Sequence, residues 1–162
     1  MLIYNQNSEE FRNMKYGKST LGKSGCAAIA SHNALQMLGV GIPLQEVVSA
    51  YEKQFKRGGG LLAGGRFGAI PTDIRRFLKN RKMRFRGGFL RRMLRTKSPG
   101  VFIITYWNKP FTRGAHTIAV KFSGRDYTAV NYTGRPCTKS SLLDFIPDRL
   151  HFIFGFFIPE NK

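Results

Sequence analysis

The sequence predicts an α+β domain in which N-terminal helices pack on a C-terminal antiparallel sheet. Apolar residues recur at helical spacing before Pro99, between residues that cap helices. After Pro99 come runs of β-branched and aromatic residues. No alternation of strand and helix points to a parallel sheet. At 162 residues the chain has the length of one domain, taken as 1–162, and can bury a core. Fourteen Phe and six Tyr argue against disorder.

In order, Ser8–Met14 opens with a short helix, Ser8 as N-cap and Glu9 and Glu10 in its first turn. Tyr16–Lys23 is a glycine- and serine-rich loop. Ser24–Gly39 is the central helix, with Ser24 as N-cap candidate and Gly39 as C-cap candidate. At about 100° per residue, Ala27, Ala30, Ala34, Leu35 and Leu38 share an apolar face, and Cys26 sits at its edge. Pro43–Phe55 is a second helix, with Pro43 at the first helical position. Arg57–Gly68 holds six glycines and reads as a loop, with a mobile lid as one use for it. Thr72–Asn80 is a third helix, Lys82–Arg86 a short strand, and Phe89–Thr96 a short basic helix. Val101–Tyr106, Ala115–Phe122, Tyr127–Tyr132 and His151–Ile158 read as strands, and Ser140–Phe145 as a helical turn.

Charge is the unusual part of the composition. The formal net charge is +18. Between Asp73 and Asp126 there are fifteen Lys and Arg and no acidic residue. Such a field attracts polyanions, whether nucleic acid, anionic lipid, acidic cell-wall polymer or acidic peptide, or else is a solvated basic surface. Two cysteines, Cys26 and Cys137, are too few for a disulfide framework, and their spacing suits no zinc site. The opening MLIYNQNSEE has neither a basic n-region nor an apolar h-region. No signal peptide is visible, so the compartment is either the cytoplasm or an exported site reached with the signal removed. The longest apolar-rich run, Phe152–Ile158, is too short to span a bilayer.

Three residues form a chemical constellation. A helix N-terminus gathers unpaired N–H groups and partial positive charge, which favours thiolate over thiol at Cys26. A two-residue turn at Gly124–Arg125 pairs Phe122 with Tyr127, Val120 with Ala129 and Ile118 with Asn131. His116, Ile118, Val120 and Phe122 then lie on one face, with His116 and Asn131 diagonal neighbours. That face is otherwise apolar and is expected to be the one the cysteine helix covers. Cysteine, histidine and an orienting amide are the parts of a thiol hydrolase: nucleophile, base and acid, and orienter.

These residues resemble papain-like cysteine peptidases, most closely the compact bacterial branch that includes bacteriocin-leader peptidases of ABC transporters. Gly25–Cys26–Ala27 before a small-residue helix is similar to the nucleophile motif. Gly114–Ala115–His116–Thr117–Ile118–Ala119–Val120 is similar to the histidine strand, and Val130–Asn131–Tyr132 to the third site. The resemblance runs from about Tyr16 to Tyr132. It implies a papain-like fold and a peptidase with Cys26, His116 and Asn131 as catalytic residues, with no metal or organic cofactor. The family commonly has Gln six residues before the cysteine as an oxyanion donor. Here that residue is Thr20, so Thr20, Gln6 or Asn5 is the candidate donor, or else the Cys26 N–H acts with little help. The expected substrate is a peptide or protein, acidic ones included, in preference to nucleic acid. Alternatives are a papain-fold module that binds an anionic partner without catalysis, thiol acyl transfer, and a cell-wall amidase.

A competing motif is Gly17–Ser24, which fits G-x-x-x-x-G-K-[ST] and precedes a helix. A phosphate loop follows a buried apolar strand, whereas Glu9–Tyr16 is polar, so nucleotide binding is the weaker reading. The Gly58–Gly65 run fits no phosphate motif. His32 falls on the far side of the cysteine helix and reads as surface or packing. His151 opens a strand without an evident partner, and Cys137 reads as an incidental loop residue.

Overall fold

A computed structural model describes residues 1–56 and 68–160. The helices are α1 (Glu9–Arg12), α2 (Leu21–Ser24), α3 (Cys26–Met37), α4 (Leu44–Lys56), α5 (Pro71–Asn80) and α6 (Leu90–Leu94). A small ribbon pairs β1 (Lys15–Tyr16) with β2 (Ser19–Thr20). The main sheet contains β3 (Arg86–Gly88), β4 (Gly100–Trp107), β5 (Ala115–Phe122), β6 (Tyr127–Val130), β7 (Cys137–Lys139) and β8 (Phe152–Pro159). Its order is β3-β8-β4-β5-β6-β7, with every neighbour antiparallel. This is the expected α+β layout. The glycine-rich loop expected over Arg57–Gly68, and with it the Gly58–Gly65 run, lies outside the described residues except for Gly68.

The central helix differs from expectation at its start. Ser24 does not cap it: Ser24 ends α2, and its Oγ donates to the Thr20 carbonyl at 3.3 Å. Gly25 is the joint between α2 and α3. A Cβ on Gly25 would lie 2.4 Å from Leu21 Cδ2 and 2.7 Å from the Leu21 Cα and carbonyl oxygen. The close turn that presents Cys26 therefore has room only for glycine. Gly25→Ala is expected to cost about 1–3 kcal/mol, as overpacking does, because main chain must move. Urea unfolding measures this, and an unchanged midpoint would contradict the packing. At the other end Gly39 sits just past the cap, at φ +77°. Val40 N donates to the Leu35 carbonyl at 2.9 Å and Gly39 N to the Gln36 carbonyl at 3.1 Å, a Schellman closure.

α3 is buried on nearly all sides, polar residues included. On one side Ser31 Oγ and Tyr51 OH of α4 are 2.8 Å apart. On another lies an N-terminal strap. Ile3 N donates to Asn33 Oδ1, and Asn33 Nδ2 donates to the Ile3 carbonyl, both at 2.8 Å. His32 is buried rather than on the surface, with Nε2 2.9 Å from the Met1 carbonyl. Burial holds its pKa below the usual histidine value.

The β5–β6 hairpin has the expected register, with Phe122 opposite Tyr127 and Val120 opposite Ala129. Its faces are assigned differently. α3 covers the face of Ala119, Val101, Ile103, Phe156 and Ile158. Ile118, Val120 and Phe122 form the other face, where they pack with Phe102, Met93 of α6 and Phe145. The expectation that the cysteine helix covers the His116 face is thus overturned. Fully buried strands are apolar on both faces, so alternation alone could not say which face the helix takes.

Smaller differences have local causes. β6 stops at Val130 because Asn131 turns left-handed, at φ +58°. Lys82, at φ +53°, and the Met83 N–H bond to the Leu78 carbonyl close α5, so pairing begins only at Arg86. Cys137 is a strand residue, opposite Ala129 in β7. His151 lies in a 3-10 turn before β8, with Nδ1 2.8 Å from Asp148 Oδ1.

Candidate active site

The first residue of α3 is Cys26, half-buried and not in a disulfide. The first N–H groups of a helix have no helical carbonyl to bond, and their partial charge favours an anion there. β5 runs under this end of α3 and brings up His116 and Thr117. His116 stands at the beginning of its strand, so its ring reaches the end of the sheet, where the two faces meet. That is how it touches Cys26 although most of its face is turned away from α3.

The Cys26 thiol and the His116 ring hydrogen-bond to each other. The other side of the imidazole is fixed by Nε2, 3.1 Å from the main-chain carbonyl of Asn131. A carbonyl only accepts, so Nε2 carries the hydrogen and Nδ1 is left with the lone pair. The Tyr106 ring stands edge-on to the imidazole, with centroids 5.9 Å apart. Burial pushes the Cys26 thiol up, but the hydrogen bond and charge of His116, with further bonds from Thr117, outweigh it and hold the thiol below its ordinary value. Burial pushes His116 down, and the Cys26 hydrogen bond and charge, with the Asn131 carbonyl, outweigh it and raise the ring. The two shifts have the signs of a thiolate–imidazolium pair.

The side chain of Asn131 does not touch His116. Its Oδ1 accepts from Gln6 N at 2.9 Å, and its Nδ2 donates to Gln6 Oε1 at 3.0 Å. The expected orienting amide is therefore replaced by the main-chain carbonyl of the same residue. The left-handed backbone at Asn131, which asparagine tolerates well, aims that carbonyl at the ring. Asn131→Gly retains the carbonyl and the φ but releases Gln6. It is expected to leave the acidic shift of Cys26 labelling in place while increasing hydrogen exchange at the Gln6 amide. Loss of the shift would put the orienting role on the side chain.

The cleft over Cys26 has a volume of about 630 Å³. Strap residues Tyr4–Asn7 form one wall, and Tyr106, Tyr132, Phe145 and Ile146 form an apolar one. Lys23 and Arg113 also line it, and no carboxylate does. Of the oxyanion candidates, Gln6 and Asn5 line this cleft and Thr20 does not. Gln6 Nε2 donates to the Gly22 carbonyl at 3.0 Å, which leaves it one further N–H. Thr20 stands before α2, with the turn Leu21–Ser24 between it and Cys26. The strap and its two asparagine clamps are functional elements that no spacing in the sequence signals.

The phosphate-loop motif lacks its frame. Gly17 N donates to the Glu52 carboxylate at 2.8 Å, a group that would repel phosphate. The helix after the motif, α2, is only four residues long. Among the described residues no group of three or more His, Cys, Asp and Glu could hold a metal ion, and no helix is long and apolar enough to cross a membrane. No family model matches the chain, and no curated protein matches it.

Proposed function

We propose that the protein is a thiol hydrolase of papain-like type that cleaves peptide bonds. The reading rests on one observation: the Cys26 thiol and the His116 ring are hydrogen-bonded at a helix start, with opposite pKa shifts, in an open cleft. Cys26 Sγ attacks the carbonyl carbon. Negative charge gathers on the carbonyl oxygen near the start of α3, where the Cys26 N–H and the spare Gln6 N–H are the candidate donors. The C–N bond then breaks, and His116 gives its proton to the leaving amine. Water hydrolyses the thioester, with His116 taking the proton that water loses and the thiolate leaving. The Asn131 carbonyl keeps the ring in the tautomer that faces sulfur.

Lys23 and Arg113, with no carboxylate among the lining residues, favour acidic side chains in the substrate. Matched pools of acidic and basic peptides test both points. Cleavage should favour the acidic pool, the preference should shrink as salt rises to physiological strength, and none should occur with Cys26→Ala. Absence of cleavage in both pools, with a thiol that labels like free cysteine, would overturn the reading.

A further inference from the structure

The described part of the molecule has a second groove, of about 600 Å³, at the opposite edge of the sheet. It lies between α5 and the β3–β8 edge and shares no lining residue with the Cys26 cleft. Five cations line it: Arg75, Lys79, Arg84, Arg86 and Arg92. All five are exposed, and none is in an ion pair among the described residues. Between them are aromatic rings. Phe85, Phe154 and Phe156 line the groove, with centroids 5.8 Å apart for Phe85–Phe156 and 5.2 Å for Phe154–Phe156. Phe89 continues this wall outward. It stands edge-on to Phe154 at 5.6 Å and is 71% exposed.

We propose that this groove binds single-stranded nucleic acid. Unpaired guanidiniums, each a planar donor fork, suit the repeated phosphates of a strand. Exposed phenyl rings among them suit unpaired bases, because every base has a face that stacks. The concave shape suits a chain and not a flat bilayer. An acidic peptide would use the cations but leave the ring of Phe89 without a role. Duplex DNA keeps its bases stacked internally and has no use for the rings either. The site is independent of the Cys26 chemistry, and the two stand or fall separately.

The test is fluorescence anisotropy of labelled oligo(dT) and oligo(U) on the full chain, at salt from 50 to 200 mM. Five phosphates neutralised on a single strand give a log–log salt slope of about −3.5, or about a hundredfold weaker binding across that range. Arg84→Ala with Arg86→Ala should reduce the slope by about 1.4, and Phe89→Ala should weaken single-strand binding about tenfold with little effect on duplex. All three positions are exposed, so thermal midpoint and Cys26 labelling should not change. Binding that ignores these substitutions would show only the general +18 field and overturn the proposal. Absence of binding at 50 mM, or displacement by polyglutamate or anionic vesicles as effective as by oligonucleotide, would also overturn it.

Discussion

Cys26→Ala is expected to lower peptide hydrolysis by about 10⁴-fold or more, to the background rate, while the protein remains folded. Loss of a nucleophile that acts jointly with its base removes the whole covalent route, not one contact of several. Alanine suits the first turn of a helix, and Cys26 is only half-buried, so stability should change little. Initial rates on the acidic peptide pool, beside a thermal melt, separate the two effects. Residual turnover within tenfold of the parent would move the nucleophile elsewhere, and a large fall in melting temperature would make the loss a folding effect.

His116→Ala should abolish the low-pH reactivity of Cys26. An ordinary thiol with pKa near 8.5 is about 0.3% thiolate at pH 6. In the parent the lowered Cys26 and raised His116 imply much faster labelling by iodoacetamide there. Without the ring, burial of the thiol is the largest influence left, and it raises the pKa. Labelling at pH 6 should fall about tenfold or more and recover only under alkaline conditions. The same pair predicts the sense of the stability profile. The Cys26 contribution is present above the ordinary thiol pKa and is lost as pH falls through the lowered folded value. The His116 contribution is present below the ordinary imidazole pKa and is lost as pH rises through the raised one. Identical labelling profiles for parent and variant would deny the pairing.

The parts of this molecule legible in sequence are those set by local periodicity. The helix after Cys26, the strand Ala115–Phe122 and the Phe122–Tyr127 register need only short-range pattern and a two-residue turn. What was not legible depends on partners far away in the chain. Nothing near Asn131 says that its amide will hold Gln6 and its carbonyl will hold His116. The left-handed backbone that decides between them is common to many asparagines before a turn. Nor does alternation in β5 reveal which face receives α3, since both faces are apolar. The split at Gly25 was concealed because α2 and α3 join without a proline or an acidic cap to mark the break.

The clamp of Gln6 by Asn131 spans 125 positions of the chain. During synthesis the strap emerges first and can close on Asn33 early, through Ile3. At Gln6 it has no partner until Asn131 leaves the ribosome. His116 waits for the same residue, since the carbonyl that fixes its ring belongs to Asn131. One late-made residue therefore completes both the wall and the base, and a nascent chain carries an exposed cysteine without an assembled means of activating it.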